Sequence, residues 1–281
     1  MTLRILPKAT LNTLPNCRSD IPERAINQWN PDVMASEGES GENTITILDP
    51  IGADWYGEGV TAKRISAALR RIGPNPVEVV INSPGGSFFE GLAIYNLLLE
   101  HKGEVTVKII GMAASAASVI AMAADNLLMA RASFLMIHNT WVMSAGDQHS
   151  FRDVADWLKP FDEAAVDIYH ARTSIDRKKI SAMLDKETWI GGSSAVDQGF
   201  ADDLLSSDQV ETNAQNATEL TPHAAQKKAD LLLARSGVTK ATRREIFAAM
   251  KGGTSRAALS STSSAAVHEA ATRLLTQINN I

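Results

Sequence analysis

The chain has 281 residues, 44% of them hydrophobic and 21% charged, which is the balance of an ordinary globular protein and excludes a disordered or fibrous one. A single cysteine, Cys17, rules out an internal disulfide and fits a reducing compartment. The net charge of −5 divides into +3 from Ser206 onward and −8 before it, and no basic stripe carries the interleaved aromatics of a nucleic-acid surface.

Residues 1–43 are polar and rich in Pro, Asn and Ser, and read as an extended or partly ordered arm. They show neither the apolar core nor the small-residue cleavage site of a signal peptide. Thr44-Ile45-Thr46-Ile47-Leu48 alternates as a strand does, and Asp49-Pro50-Ile51-Gly52 breaks it. A helix is expected over 59–72, with Val60, Ile65, Leu69 and Ile72 inward and Gly73-Pro74 as its stop. Val77-Glu78-Val79-Val80-Ile81-Asn82 predicts a buried strand, Ser83-Pro84-Gly85-Gly86 a turn, and 91–100 a helix.

A second buried strand is expected over 105–110, then a turn through Gly111-Met112-Ala113-Ala114-Ser115, then a helix over 116–124. The apolar window 109–130 approaches a membrane span in length, but Gly111 and Asp125-Asn126 interrupt it, so a strand–helix pair fits better. Short strands follow at 127–129 and 134–137, the latter ending in His138-Asn139. Ser150 with Asp153 opens a long helix to about Arg172, which Pro160 is expected to bend. Further helices are expected over 175–184 and 195–199. Strands and helices thus alternate with short connections, which implies a parallel α/β sheet with helical cover.

After Ser206 the composition changes. Residues 206–222 read as a linker, 224–235 and 239–250 as amphipathic helices, 252–266 as a flexible Gly/Ser/Thr/Ala stretch, and 267–278 as a last helix. The chain therefore divides into an arm (1–43), an α/β domain (44–205) and a linker with helical tail (206–281).

Three stretches carry candidate chemistry. A serine at a strand-to-helix turn, Ser115, is exposed beside the positive end of a helix, although the same run of small residues also fits a tight helix–strand contact. Gly85-Gly86 leaves backbone N–H groups uncovered, as an oxyanion site requires and as a plain β-turn also does. His138 ends an apolar strand, where a histidine is either a base or a satisfied structural residue. The other five histidines show no metal-ligand spacing, and there is no Gly-x-Ser-x-Gly elbow or P-loop. No metal and no cofactor are expected.

In this order, Ile81-Asn82-Ser83-Pro84-Gly85-Gly86, Gly111-Met112-Ala113-Ala114-Ser115 and Met136-Ile137-His138 resemble the proteolytic subunit of Clp protease. The stretch 185–202 (DKETWIGGSSAVDQGFAD) is similar to that family's segment carrying the third triad residue and its closing helix. Asp49-Pro50-Ile51-Gly52, the run 57–62 (GEGVTA) and Glu187-Thr188-Trp189 look closer still to the Clp-like head maturation (prohead) proteases of tailed phages and prophages.

The resemblance implies a crotonase-like spiral of ββα units with a handle helix, and a serine endopeptidase. Ser115 would be the nucleophile and His138 the base, with Gly86 and Ala116 N–H groups holding the oxyanion. A gapless alignment puts Glu187 at the acid position. Asp185 is the alternative, on the same face if the segment is a strand. Ser87 and Phe88 would run beside an extended peptide substrate as an added strand does. Ser118 is a decoy facing the packed helix. The handle would join subunits into a homo-oligomeric ring, with Trp157, Phe161 and Tyr169 at a subunit interface or packed on their own domain.

Capsid or scaffold proteins are the expected substrates, in host cytoplasm or procapsid, and an ATPase partner finds no support in the sequence. The competing readings are a capsid scaffold and a crotonase-like acyl-CoA enzyme. A Ser-Lys peptidase lacks its lysine, since none lies between Lys108 and Lys159.

Overall fold

Strands covered on both faces are built from near-continuous apolar runs, and 77–82 and 105–110 become the centre of a seven-stranded sheet. A computed structural model describes residues 17–19, 21–33, 41–52, 59–206 and 221–251. β2 (Thr44–Ile47), β3 (Val77–Ser83), β4 (Val105–Ala114), β5 (Asn126–Met129) and β9 (Asp203–Leu204) lie side by side in that order, all parallel. β6 (Phe134–Ile137) pairs parallel with the far end of β4, and β8 (Thr188–Gly191) closes on β6 antiparallel.

β4 is longer than its sequence suggests. It runs through Gly111 to Ala114, where a turn was expected. Gly111 makes this continuation feasible, because a Cβ there would lie 2.6 Å from Asn82 Oδ1. The Asn82 amide oxygen instead accepts from Met112 N at 3.2 Å, and the β3–β4 register shifts between Ile81 and Ser83. The first half of β4 pairs with β5 and the second with β6, so β4 and β6 end side by side. Ser115 follows the one and His138 follows the other.

The helices cover this frame. α2 (Ala62–Ile72) starts on a Thr61 cap and stops at Gly73. α3 (Phe88–Leu99) begins three residues earlier than expected, because the Ser87 hydroxyl caps it by accepting from Glu90 N. α4 (Ala116–Ala121) packs on α3 where Gly91 abuts Ala116. α5 (Gln148–Thr173) is capped by Asp147 rather than Ser150, and stays helical through Pro160. α6 (Arg177–Asp185) and α7 (Gly192–Asp197) follow.

The arm is not extended within its described part. β1 (Cys17–Ser19) pairs antiparallel with β7 (Val142–Ser144), and α1 (Glu23–Gln28) buries Ala25 and Ile26. Ile21, Ala25, Ile26 and Trp29 pack with Met112, Ala114 and Met136 into a second small core. The Trp29 indole donates to the Asn82 carbonyl at 3.1 Å, and the Asn82 amide donates to Asn30 and Val33 carbonyls. The tail helix α8 (Pro222–Arg235) lays Leu231 and Leu232 on the same core, and α9 (Lys240–Lys251) folds back on α8 through Phe247 and Leu233. The expected flexible stretch 252–266, the last helix 267–278 and most of the linker lie outside the described residues. No helix among the described residues is long and apolar enough to cross a membrane.

Candidate active site

Ser115 joins β4 to α4 with φ 54° and ψ −122°, a conformation that a residue with a side chain rarely adopts. Its amide donates to the Met136 carbonyl at 2.8 Å, which ties the turn to the end of β6. The Ser115 hydroxyl and His138 Nε2 are 2.7 Å apart. Two strand ends thus deliver a hydroxyl and an imidazole into hydrogen-bond contact, the arrangement in which an imidazole accepts a serine proton. Burial pushes the His138 pKa below its usual value, and the Glu187 carboxylate pulls it partly back up.

Gly85 and Gly86 stand against this turn, with φ of 90° and 148°. A Cβ on Gly85 would lie 2.7 Å from Ser115 Cβ and 3.2 Å from Ala116 N, and one on Gly86 would lie 2.1 Å from the Ile51 carbonyl oxygen. Ile51 pins the turn from outside: its amide donates to Gly85 O at 2.7 Å, and its carbonyl accepts from Ser87 N at 2.9 Å. Among the described residues neither the Gly86 N–H nor the Ala116 N–H is taken up by a hydrogen bond.

The two candidate acids part company. The segment around them is not a strand: Asp185 is the last residue of α6, Glu187 sits in a left-handed turn at φ 50°, and β8 begins only at Thr188. The expectation that both carboxylates share a strand face therefore fails. Asp185 is exposed and accepts from the Asn139 amide at 2.8 Å. Glu187 is half-buried, accepts from the Trp189 indole at 3.2 Å, and stands 4.0 Å from the Arg24 guanidinium. Glu187 is also the carboxylate that acts on His138.

Ser87 and Phe88 do not form an extended edge. Ser87 caps α3, Phe88 begins it, and Gly86 already bridges to Ile51. Phe88 nevertheless lines the cleft over the Ser115–His138 pair, together with Gly86 and Trp141. Ser118 is fully buried and bonds to the Tyr169 hydroxyl of α5. Of the three aromatics weighed for a subunit interface, Tyr169 is 2% exposed within its own domain. Trp157 and Phe161 pack on Phe89 from α3, the first tilted at a ring separation of 5.9 Å and the second edge-on at 5.0 Å.

Sequence reasoning missed the flanks. Arg24 of α1 lies over the Trp189 ring at 5.6 Å, and Arg235 of α8 over the Trp141 ring at 5.9 Å. No local signal marks these arginines, because each meets a partner far away in sequence. No group of three or more His, Cys, Asp or Glu among the described residues is placed to hold a metal ion.

Comparison with known proteins agrees with this architecture. The family profile described as Clp protease matches residues 44–208. The ATP-dependent Clp protease proteolytic subunit of Deinococcus radiodurans is 29% identical over 139 residues, covering 49% of this chain and 67% of that protein. The ATP-dependent Clp protease proteolytic subunit 1 of Chlamydia abortus is 29% identical over 162 residues, covering 54% and 84%. A point mutant of ClpP1 from Listeria monocytogenes superposes with a TM-score of 0.51 at 24% identity, covering 60% of this chain and 94% of that one.

Proposed function

The chain belongs to the Clp protease family, and from that premise we propose that Ser115, His138 and Glu187 carry its serine-type peptidase activity. The Ser115 oxygen attacks the scissile carbonyl while His138 Nε2 takes its proton. His138 then returns that proton to the leaving amine, and water releases the acyl group by the same steps in reverse order. The Gly86 and Ala116 N–H groups, both without another acceptor, hold the oxyanion of each tetrahedral intermediate. Glu187 orients the imidazole and stabilises its charged form.

The observation that carries this reading is the 2.7 Å contact between His138 and a serine held at φ 54°. A structural histidine would be satisfied by a relaxed neighbour. The lowered His138 pKa fits a base that is free of its proton at neutral pH.

The finer role is endoproteolysis of capsid-associated proteins during phage head maturation, in host cytoplasm or procapsid. Its support is the phage-like run of Asp49-Pro50-Ile51-Gly52, 57–62 and Glu187-Thr188-Trp189. Residues 44–205 form the peptidase unit in this scheme, with the arm and tail as additions to it, and subunits join through α5 into a ring. An ATPase partner is not required by any feature of the chain.

Labelling with a fluorophosphonate probe, with the adduct mapped by mass spectrometry, tests the assignment. The expected adduct is on Ser115, and Ser115→Ala removes it together with turnover, by on the order of 10⁶. An adduct elsewhere, or near-normal cleavage by the variant, overturns it. Co-expression with candidate capsid and scaffold proteins tests the role, which fails if none is cut in a Ser115-dependent way.

A further inference from the structure

One buried polar chain lies behind the nucleophile and has no part in the steps above. Ser118 is 0% exposed and Tyr169 2%. Ser118 Oγ lies 2.6 Å from the Ser115 carbonyl oxygen and 2.9 Å from the Tyr169 hydroxyl. The direction of these bonds follows from proton counting. A serine hydroxyl has one proton and a carbonyl only accepts, so Ser118 donates to Ser115 O. Tyr169 must then donate to Ser118. Burial also keeps the Tyr169 hydroxyl protonated, far above the usual phenol range.

The Ser115 carbonyl does not stand alone. It shares one rigid trans peptide plane with the Ala116 N–H, and the two bonds point in opposite directions within that plane. Whatever grips the carbonyl therefore aims the N–H. The carbonyl is gripped three times, by Ser118 Oγ and by the Ser118 and Val119 amides at 2.9 and 3.2 Å. The two amides belong to α4, a helix of six residues that begins on a strained residue. The remaining grip, Ser118 Oγ, is also on α4, but it alone is held from outside that helix, by Tyr169 on the 26-residue α5.

We infer that Tyr169 and Ser118 are a positioning pair that aims the Ala116 N–H at the developing oxyanion. The inference rests on the assignment of Ala116 as an oxyanion donor. Tyr169 couples that donor to the long helix, and Ser118 is the link. Neither side chain touches the reacting atoms.

The test uses the full chain with Tyr169→Phe, Ser118→Ala and the double variant. Each is assayed on a fluorogenic peptide and for affinity toward a peptide boronate, which forms a tetrahedral adduct on the nucleophile. Deleting an oxyanion donor outright costs about 10²–10³ in kcat, and mis-aiming one costs less. Each single variant should lose roughly tenfold in kcat with KM unchanged, and boronate affinity should fall by the same factor. The double variant should be no worse than Ser118→Ala, because Tyr169 acts only through Ser118.

Wild-type kcat in Tyr169→Phe overturns the inference. So does a loss carried in KM, unchanged boronate affinity, or effects that multiply in the double variant. If Tyr169→Phe does not fold, Ser118→Ala gives the same readouts; if neither folds, the pair supports the fold and the inference fails. Failure of the parent assignment looks different, since the wild-type chain would then take no fluorophosphonate adduct on Ser115.

Discussion

Replacing Gly85 by alanine separates backbone strain from damage to the site. Gly85 has φ 90° and Gly73 has φ 72°, so an alanine at either position is forced into the left-handed region. Residues held in such sparsely populated backbone cost about 1–3 kcal/mol. At Gly73 a Cβ meets nothing within 4 Å, and the strain is the whole effect. At Gly85 it meets Ala114 O at 2.5 Å and Ser115 Cβ at 2.7 Å, and both belong to the nucleophile turn. Overpacking of that kind adds about 1–3 kcal/mol. Gly85→Ala should therefore lose roughly 2–6 kcal/mol of stability, against about 1–3 for Gly73→Ala. Relief of the contact displaces Ser115 by roughly 0.7 Å, from 2.7 Å out to ordinary van der Waals distance. A misplacement near 1 Å costs about 10²-fold in rate. Thermal melting and hydrolysis of a fluorogenic peptide measure the two effects. Gly73→Ala should keep full activity. The reasoning is refuted if Gly85→Ala melts with Gly73→Ala and keeps kcat/KM within a few-fold of the parent.

Glu187→Gln should cut turnover by up to ~10⁴ through loss of the correct imidazole tautomer, with little change in stability, whereas Asp185→Asn should do much less; steady-state kinetics that reverse the order would make Asp185 the orienting residue. Because burial holds the His138 pKa below its ordinary value, activity should persist below about pH 6.5 and fall as pH drops through the lowered folded value. The stability contribution of a neutral buried imidazole has the same sign: it is complete above the unfolded pKa and lost on acidification through the folded one. Glu187→Gln removes the upward pull on that pKa, so the acid limb of kcat/KM should move to still lower pH, and an upward move would contradict the charge assignment. A chain ending near Asp208 should still cleave peptides but melt earlier, since it loses the half-buried Leu231 and Leu232 from the second core, each worth less than the about 1.5–3 kcal/mol of a fully buried leucine. A truncated chain that is folded yet inactive would show that α8 serves the chemistry.

The sequence made the catalytic frame legible because its strands are apolar throughout. Val79, Val107, Ile109 and Leu127 are each 0% exposed, as strands covered on both faces require. Ser115 and His138 were legible for the same reason, as the first polar residues past two adjacent strands. The arm was not. α1 has six residues, too few to establish a helical period, and Trp29 is buried by partners far along the chain, Met112, Ala114 and Met136 in the second core and Asn82 accepting its indole proton. The turn at Glu187 was illegible because nothing local distinguishes a left-handed glutamate from a strand residue. The α6 cap and the start of β8 decide it together. Phe88 was misplaced because the Ser87 cap, with Glu90 three residues on, outweighs the extended tendency after Gly86.

The arm and tail helices are joined to each other as well as to the sheet. Arg235 pairs with Glu23 at 3.2 Å, Thr221 bonds both Asp32 oxygens at 2.6 and 3.0 Å, and Lys228 donates to the Asn27 carbonyl at 3.3 Å. These contacts close a loop spanning the whole peptidase unit, which places them among the last to form as the chain folds. α1 is too short to persist without a neighbour, and it leans on Met112, Ala114 and Met136 of the sheet as well as on α8, so loss of α8 removes only part of its support. The arm and tail helices together form a cover laid over the face that carries Trp189 and Glu187.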